Sequence, residues 1–120
     1  EGDAPERGGR GVRATRWQVM EYVMDAFGDG DPNCGIWAIT LQRKSPGRWS
    51  VNRFGDVLND QGEWEYEPLP SSRDDAFKKR CRFPLAKAKR LGAEAFPRIV
   101  VNGMTADEAR ALIAVRKATR

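Results

Sequence analysis

Hydrophobic and polar residues alternate over three stretches between residues 37 and 67, and this is the clearest pattern in the chain. A period of two is typical of strands that bury one face. The pair Pro46–Gly47 and the segment 59–62 supply turns between the stretches, and Gly55 is expected to bend the second strand. The pattern predicts an antiparallel meander of three or four strands. Its alternating apolar residues are Trp37, Ile39, Leu41, Trp49, Val51, Trp64 and Tyr66.

The three tryptophans of these stretches are expected to point to the same side of the sheet. If Trp37, Trp49 and Trp64 all face inward, helices cover that aromatic face and the opposite face is polar and meets water. The sequence thus predicts a sheet that is covered on one side only.

A helical period precedes the strands. Apolar residues at positions i, i+3, i+7 and i+10 predict a helix over residues 15–27. Thr15 is its expected N-cap and Gly28 its C-terminal stop. The residues on the stripe are Trp17, Met20, Met24 and Phe27, with Val23 beside them.

Further helices are predicted after the strands. Ser72 is expected to cap a short helix that runs through Phe77. An apolar stripe predicts a helix over 84–96, and a capping box at residues 105–108 begins another that reaches 118. The fold class predicted is therefore α+β, with the meander packed on one face by two to four helices.

Length and composition indicate one domain. The chain has 120 residues, which is enough for one ordinary core. We expect a flexible arm over 1–11, which is rich in glycine, and a single α+β domain over 12–120. No apolar run suits a membrane span, so the expected location is the cytoplasm of a bacterial host. Cys34 and Cys81 are expected to be free thiols.

The chain contains no histidine, which narrows the chemistry that it can perform. Histidine is the usual proton shuttle near neutral pH and the commonest metal ligand. We therefore expect no enzymatic activity, no metal site and no cofactor. A histidine-free hydrolase that uses Asp74, Asp75 or glutamates remains an alternative.

Three glutamates alternate along the last predicted strand. Glu63, Glu65 and Glu67 share one face, which the one-sided sheet would turn toward water. We expect them to pair with Arg48 or Arg53 across the hairpin and to have a structural role.

Positive charge is concentrated in the second half of the chain. Residues 1–60 carry 8 basic and 9 acidic side chains, and residues 61–120 carry 13 and 8, so the net charge of +4 is the sum of −1 and +5. A basic tract of seven cations without any acid lies between residues 78 and 90. It predicts contacts with nucleic-acid phosphates; the alternative is a solvated helix face. The tract comprises Lys78, Lys79, Arg80, Arg82, Lys87, Lys89 and Arg90, and the arm arginines Arg7, Arg10, Arg13 and Arg16 are expected to assist it.

Four short motifs stand out, at residues 48–58, residues 62–73, Arg82-Phe83 and residues 101–108. Together they resemble a family of small proteins of actinobacteria and their bacteriophages to which no activity is assigned. The resemblance covers roughly residues 37–112 and implies a phage or prophage accessory gene without implying a mechanism. The layout of a meander followed by a helix is also similar to the arm-binding domains of phage integrases, which is an analogy of architecture only.

The function expected from the sequence is that of a non-enzymatic binding module. Nucleic acid is the first expected partner, bound without sequence specificity through the basic tract. The alternative is a protein-interaction module that docks on and modulates a host protein through an edge strand or an exposed aromatic residue.

Overall fold

A computed structural model describes residues 16–119. Five strands form one antiparallel sheet in which spatial order follows chain order. This confirms the α+β class, although the sheet has five strands where three or four were predicted. The strands are β1 (Glu21–Met24), β2 (Ile39–Ser45), β3 (Arg48–Arg53), β4 (Asp56–Leu58) and β5 (Trp64–Tyr66), and the α-helices are α1 (Asp75–Cys81), α2 (Leu85–Ala95) and α3 (Ala106–Ala118). The expected arm over 1–11 and the expected cap at Thr15 lie outside the described residues.

The helix predicted over 15–27 is wrong, because the described part of this segment contains strand β1. Met20 and Met24 of the helical stripe also fit a period of two with Tyr22, so this segment permits a strand as well. Pairing with β2, with Tyr22 opposite Leu41, gives the segment backbone partners and a place against the sheet. Trp17 is fully exposed and therefore contributes nothing to the core.

The second predicted strand divides into two. Phe54 and Gly55 form a two-residue turn, across which Arg53 pairs with Asp56. Gly55 therefore reverses the chain where a bend was expected. The predicted turn at Pro46–Gly47 is confirmed between β2 and β3, and Gly47 has a φ of 71°, which glycine adopts without strain.

Helix α2 covers one face of the sheet and forms the main core. Gly92 lies where an added Cβ would be 3.6–3.7 Å from side chains of Ile39, Leu41 and Val51, so the helix approaches the strands closely. Trp37 and Trp49 are buried in this core, whereas Trp64 is only half-buried at its margin.

Helix α1 covers part of the opposite face. Val57 is paired with Asn52 and therefore lies on the other side of the sheet from Val51. It forms a small apolar cluster with Phe77 and Cys81 of α1. The prediction of a sheet covered on one side only is therefore wrong.

The chain passes from one face of the sheet to the other at Phe83. The Trp49 N–H donates to the Phe83 carbonyl at 2.7 Å, and the Phe83 N–H donates to the Trp49 carbonyl at 2.9 Å. β4 is short, which leaves this end of β3 available to Phe83. This crossing connects α1 to α2, so the cations before Phe83 and those after it lie on opposite sides of the sheet.

The structure confirms the predicted capping box at the start of α3. The Thr105 hydroxyl accepts from the Glu108 N–H at 3.2 Å, and the Glu108 carboxylate accepts from the Thr105 N–H at 2.8 Å, which completes the capping box. The residues before it form an isolated bridge between Val101 and Met104, where a short buried strand or extended segment was expected. The Trp37 indole donates to the Met104 carbonyl at 3.0 Å and links this region to the core.

Candidate anion-binding groove

The seven cations of the basic tract do not share one surface. Lys78, Lys79 and Arg80 belong to α1, and Arg82 follows it, so these four lie on the α1 side of the sheet. The other three belong to α2, on the opposite side. The crossing at Phe83 therefore divides the tract into two groups.

The three cations on α2 make local contacts. The Lys87 Nζ lies 5.4 Å from the centre of the Phe83 ring, and the Lys89 Nζ lies 4.6 Å from that of Tyr22. Arg90 approaches Glu94, one turn further on, at 3.6 Å. Such contacts are typical of the exposed surface of a helix.

Arg80 is neutralised by a glutamate of the sheet. Its Nε and Nη2 donate to both oxygens of Glu65 at 2.9–3.1 Å. These hydrogen bonds, together with one from the Asn59 amide, lower the pKa of Glu65 to about 2 from its ordinary 4.5. The prediction that the glutamates pair with Arg48 or Arg53 is wrong, because α1 brings other arginines onto this face.

The remaining α1 cations face a groove of about 600 Å³ between the helix and the β2–β3 hairpin. Three segments contribute to it: the hairpin, the 3₁₀ turn over Pro70–Ser72 with the residue after it, and α1 with Arg82, which follows that turn directly. Six of its nine residues are cationic and one is acidic. The lining comprises Lys44, Ser45, Arg48, Pro70, Arg73, Asp75, Lys78, Lys79 and Arg82.

An ion-pair network lies at the base of the groove. The Glu67 Oε2 accepts from Arg82 at 2.7 Å and lies 2.7 Å from the Nε of Arg73. Arg82 is only 7% exposed and also donates to the Cys81 carbonyl. The other oxygen of Glu67 is buried and has no hydrogen-bond partner within 16–119. One carboxylate thus serves two arginines.

Local sequence explains how α1 presents its cations. The Asp74 carboxylate accepts from the Phe77 N–H at 2.8 Å, so Asp74 caps the helix in place of the predicted Ser72. Phe77 and Cys81 lie four residues apart and turn together into the sheet. Lys78 and Lys79 consequently point away from the sheet and toward the groove.

The groove has an uncompensated positive charge. Its six cations outnumber Asp75 and the underlying Glu67 by 6 − 2 = 4. Desolvation lowers the pKa of Lys44, and the charges of Arg82 and Arg73 act in the same direction, against the opposing effect of Glu67. An oxyanion in the groove would relieve this repulsion.

Sequence reasoning did not identify Lys44, Arg48 and Arg73 as site residues. Lys44 and Arg48 flank the Pro46–Gly47 turn, and a pair of cations at the tip of a hairpin is the one local signal of their role. Their approach to α1 depends on tertiary packing across about 30 residues of chain, which a linear charge count does not reveal.

Three of the carboxylates named for a possible hydrolase have other roles in the structure. Asp74 caps α1, and Glu65 and Glu67 bind arginines. Within 16–119 no group of three or more histidine, cysteine or acidic residues is arranged to hold a metal ion. Of the two free cysteines, Cys34 is exposed, and burial raises the pKa of Cys81 to about 12.

Comparisons with known proteins place this chain in no family. Neither the protein-family models, nor the curated proteins, nor the solved structures gave a match. Among the described residues, none of the helices combines the length and the apolar character needed to cross a bilayer.

Proposed function

We propose that this domain is a non-enzymatic binding module that holds nucleic-acid phosphates in the basic groove. The observation that supports the proposal is the convergence of six cations from three segments on one concave surface. Phosphate oxygens bind lysine and arginine through charge-assisted hydrogen bonds. A phage or actinobacterial accessory role, as the sequence resemblance suggests, is part of this proposal.

The groove replaces the basic tract as the proposed interface. Lys78, Lys79 and Arg82 remain in it from the original seven residues. Lys87, Lys89 and Arg90 lie on the other side of the sheet, and Arg80 is bound to Glu65. We therefore assign phosphate contacts to the first group and a solvated surface to the second.

Two triple variants with equal net charge test this assignment. The groove variant carries Lys44→Gln, Lys78→Gln and Lys79→Gln; the control carries the same change at the three cations of α2, Lys87, Lys89 and Arg90. Binding of single-stranded DNA is measured by fluorescence anisotropy at several salt concentrations. Each lost phosphate contact should reduce the log–log salt slope by about 0.7, so the groove variant should lose about 2 from the slope.

The control variant is expected to keep the wild-type slope within error. Equal effects of the two variants would show that only total charge matters and would refute the groove. Absence of any complex at about 50 mM salt and tens of micromolar protein would reject nucleic-acid binding altogether, since non-specific affinity should be visible there.

A second candidate function, protein interaction, is supported by strand β1. It lies at the edge of the sheet, and no described strand pairs with its outer side. Val23 is 61% exposed there, and Val19, Met20 and Met24 are exposed beside it. An apolar free edge is a template for adding another strand.

A lysine at the edge tests this second function. Val23→Lys should block strand addition because a charged edge disfavours pairing. Capture of partners from an actinobacterial lysate is compared for the wild type, Val23→Lys and the groove variant. A protein that is lost with Val23→Lys alone supports interaction through the edge, and a protein that binds all three equally contradicts it.

A further inference from the structure

We propose that the groove binds the terminal phosphate of a nucleic-acid strand in preference to the internal phosphates of a continuous backbone. This inference rests on the proposed function and specifies its ligand. Three features of the groove support it: its limited extent, its charge, and the arginine donors at its base.

The positive surface around the groove is bounded. Arg80, next along α1, is paired with Glu65. Asp74 and Asp75 occupy the start of α1. The α2 cations are separated from the groove by the sheet. Within residues 16–119, a long backbone that entered the groove would therefore find no continuous basic path along which to leave it.

The volume of the groove is also limited. About 600 Å³ lies within the ~300–1,000 Å³ of sites that enclose small molecules. That space suits a terminal nucleotide or its phosphate.

The charge of the site favours a phosphate monoester. A terminal phosphate carries about −1.5 to −2 at pH 7 and offers three acceptor oxygens. An internal diester carries about −1 and therefore compensates less of the excess of +4. The more highly charged end group gains more from the same six cations.

Arginine donors are available for those oxygens. Two of the five N–H groups of Arg82 are used, for Glu67 and the Cys81 carbonyl. Arg73 uses its Nε for the Pro68 carbonyl, and its terminal nitrogens have no hydrogen bond within the described residues. Both arginines line the groove and are held in place by Glu67, so their donors are preorganised for an anion.

The test compares strand ends at equal charge. A 5′-phosphorylated and a 3′-phosphorylated single strand are each titrated against a hydroxyl-ended strand two nucleotides longer, which carries about the same total charge. We expect one phosphorylated end to bind at least about tenfold tighter than the longer strand. The groove variant should lose this preference, and the α2 control should retain it.

A pH series tests whether the charge of the terminal phosphate causes the binding preference. The preference should fall as the pH decreases through about 6, where the phosphate monoester dianion takes up one proton and its charge falls from about −2 to −1. The chain has no histidine, the side chain that ordinarily titrates in this range. The groups facing the phosphate are the lysines and arginines of the groove with Asp75 and Glu67.

The alternative outcomes are distinct. Equal affinity for phosphorylated and charge-matched hydroxyl strands overturns end recognition and leaves phosphate binding intact. Failure of all strands to bind rejects the proposed function as well. Equal competition by inorganic phosphate and by the phosphorylated strand shows that a free anion is the ligand, and equal binding of a phosphoserine peptide shows that the strand is not required; either result overturns the inference.

Discussion

Replacement of Glu67 by alanine should destabilise the domain more than loss of any exposed ion pair, because it leaves a buried charge without its partner. Glu67 is 14% exposed and Arg82 is 7% exposed, and their atoms are 2.7 Å apart. Removal of one member of a buried pair costs about 3–5 kcal/mol. Arg73, at 23% exposure, can turn toward water, so the cost arises mainly from Arg82.

The expected loss is a large part of the total stability. Domains of this size unfold with about 5–15 kcal/mol, so about 3 kcal/mol would move the urea midpoint by more than 1 M at a typical slope. Urea unfolding followed by tryptophan fluorescence measures the change, since Trp37 and Trp49 are buried in the core. The exposed pair of Arg90 and Glu94 provides the control, because Glu94→Ala should cost less than about 1 kcal/mol.

Two further variants separate the pair from simple packing. Arg82→Met should cost less than Glu67→Ala, because Glu67 keeps Arg73 as a partner. Combining Glu67→Leu with Arg82→Met should recover much of the loss, since both buried charges are then absent. A cost below about 1 kcal/mol for Glu67→Ala would refute the reasoning, and so would a loss in the double variant equal to the sum of the losses for Glu67→Leu alone and Arg82→Met alone.

Three other predictions concern the fold. Trp49→Ala should cost about 3–5 kcal/mol and Trp64→Ala about 1–2 kcal/mol in urea unfolding, because only the first ring is fully buried; equal costs would contradict the assigned core. The pKa of Glu65 is lowered by Arg80 from 4.5 to about 2, so the stabilisation from this pair is present above pH 4.5 and disappears as the pH falls toward 2. Glu65→Gln should remove this part of the acid dependence, and an unchanged profile would argue against the pair. Gly92→Ala should be neutral or stabilising by up to about 1 kcal/mol in thermal unfolding, since its Cβ would meet neighbours at ordinary contact distance and alanine favours the helix; a large loss of stability would show that α2 lies closer to the sheet.

The sequence predicts those elements whose signals are local. The capping box at Thr105, the turn at Pro46–Gly47 and the apolar stripe of α2 depend on residues a few positions apart, and each appears in the structure. Strand β1 depends instead on an open edge of β2, because its apolar residues fit helical and strand periods equally. Backbone pairing with β2 favours the strand over the helix in this segment.

The positions of the charged residues likewise could not be predicted from local sequence. A linear count treats residues 78–90 as one positive surface, because it has no information about which face of the sheet each helix covers. Phe83 pairs with Trp49 and turns the chain to the other face within three residues, between Arg82 and Pro84. Of the cations before Phe83, Lys78, Lys79 and Arg82 therefore line the groove with the β2–β3 hairpin, and Arg80 pairs with Glu65. The cations after it make only local contacts with aromatic rings and with Glu94.

The division of the tract also explains how so much charge coexists with a folded domain. Seven adjacent cations on a single surface would repel one another without compensation. In the structure, Glu65 takes Arg80 and Glu67 takes Arg82, and both glutamates come from the alternation of the last strand. These two glutamates therefore compensate part of the positive charge on the α1 side of the sheet, but they are too few to neutralise the groove. What remains is four positive charges in a concave space, which an anionic ligand can compensate and the described part of the chain does not.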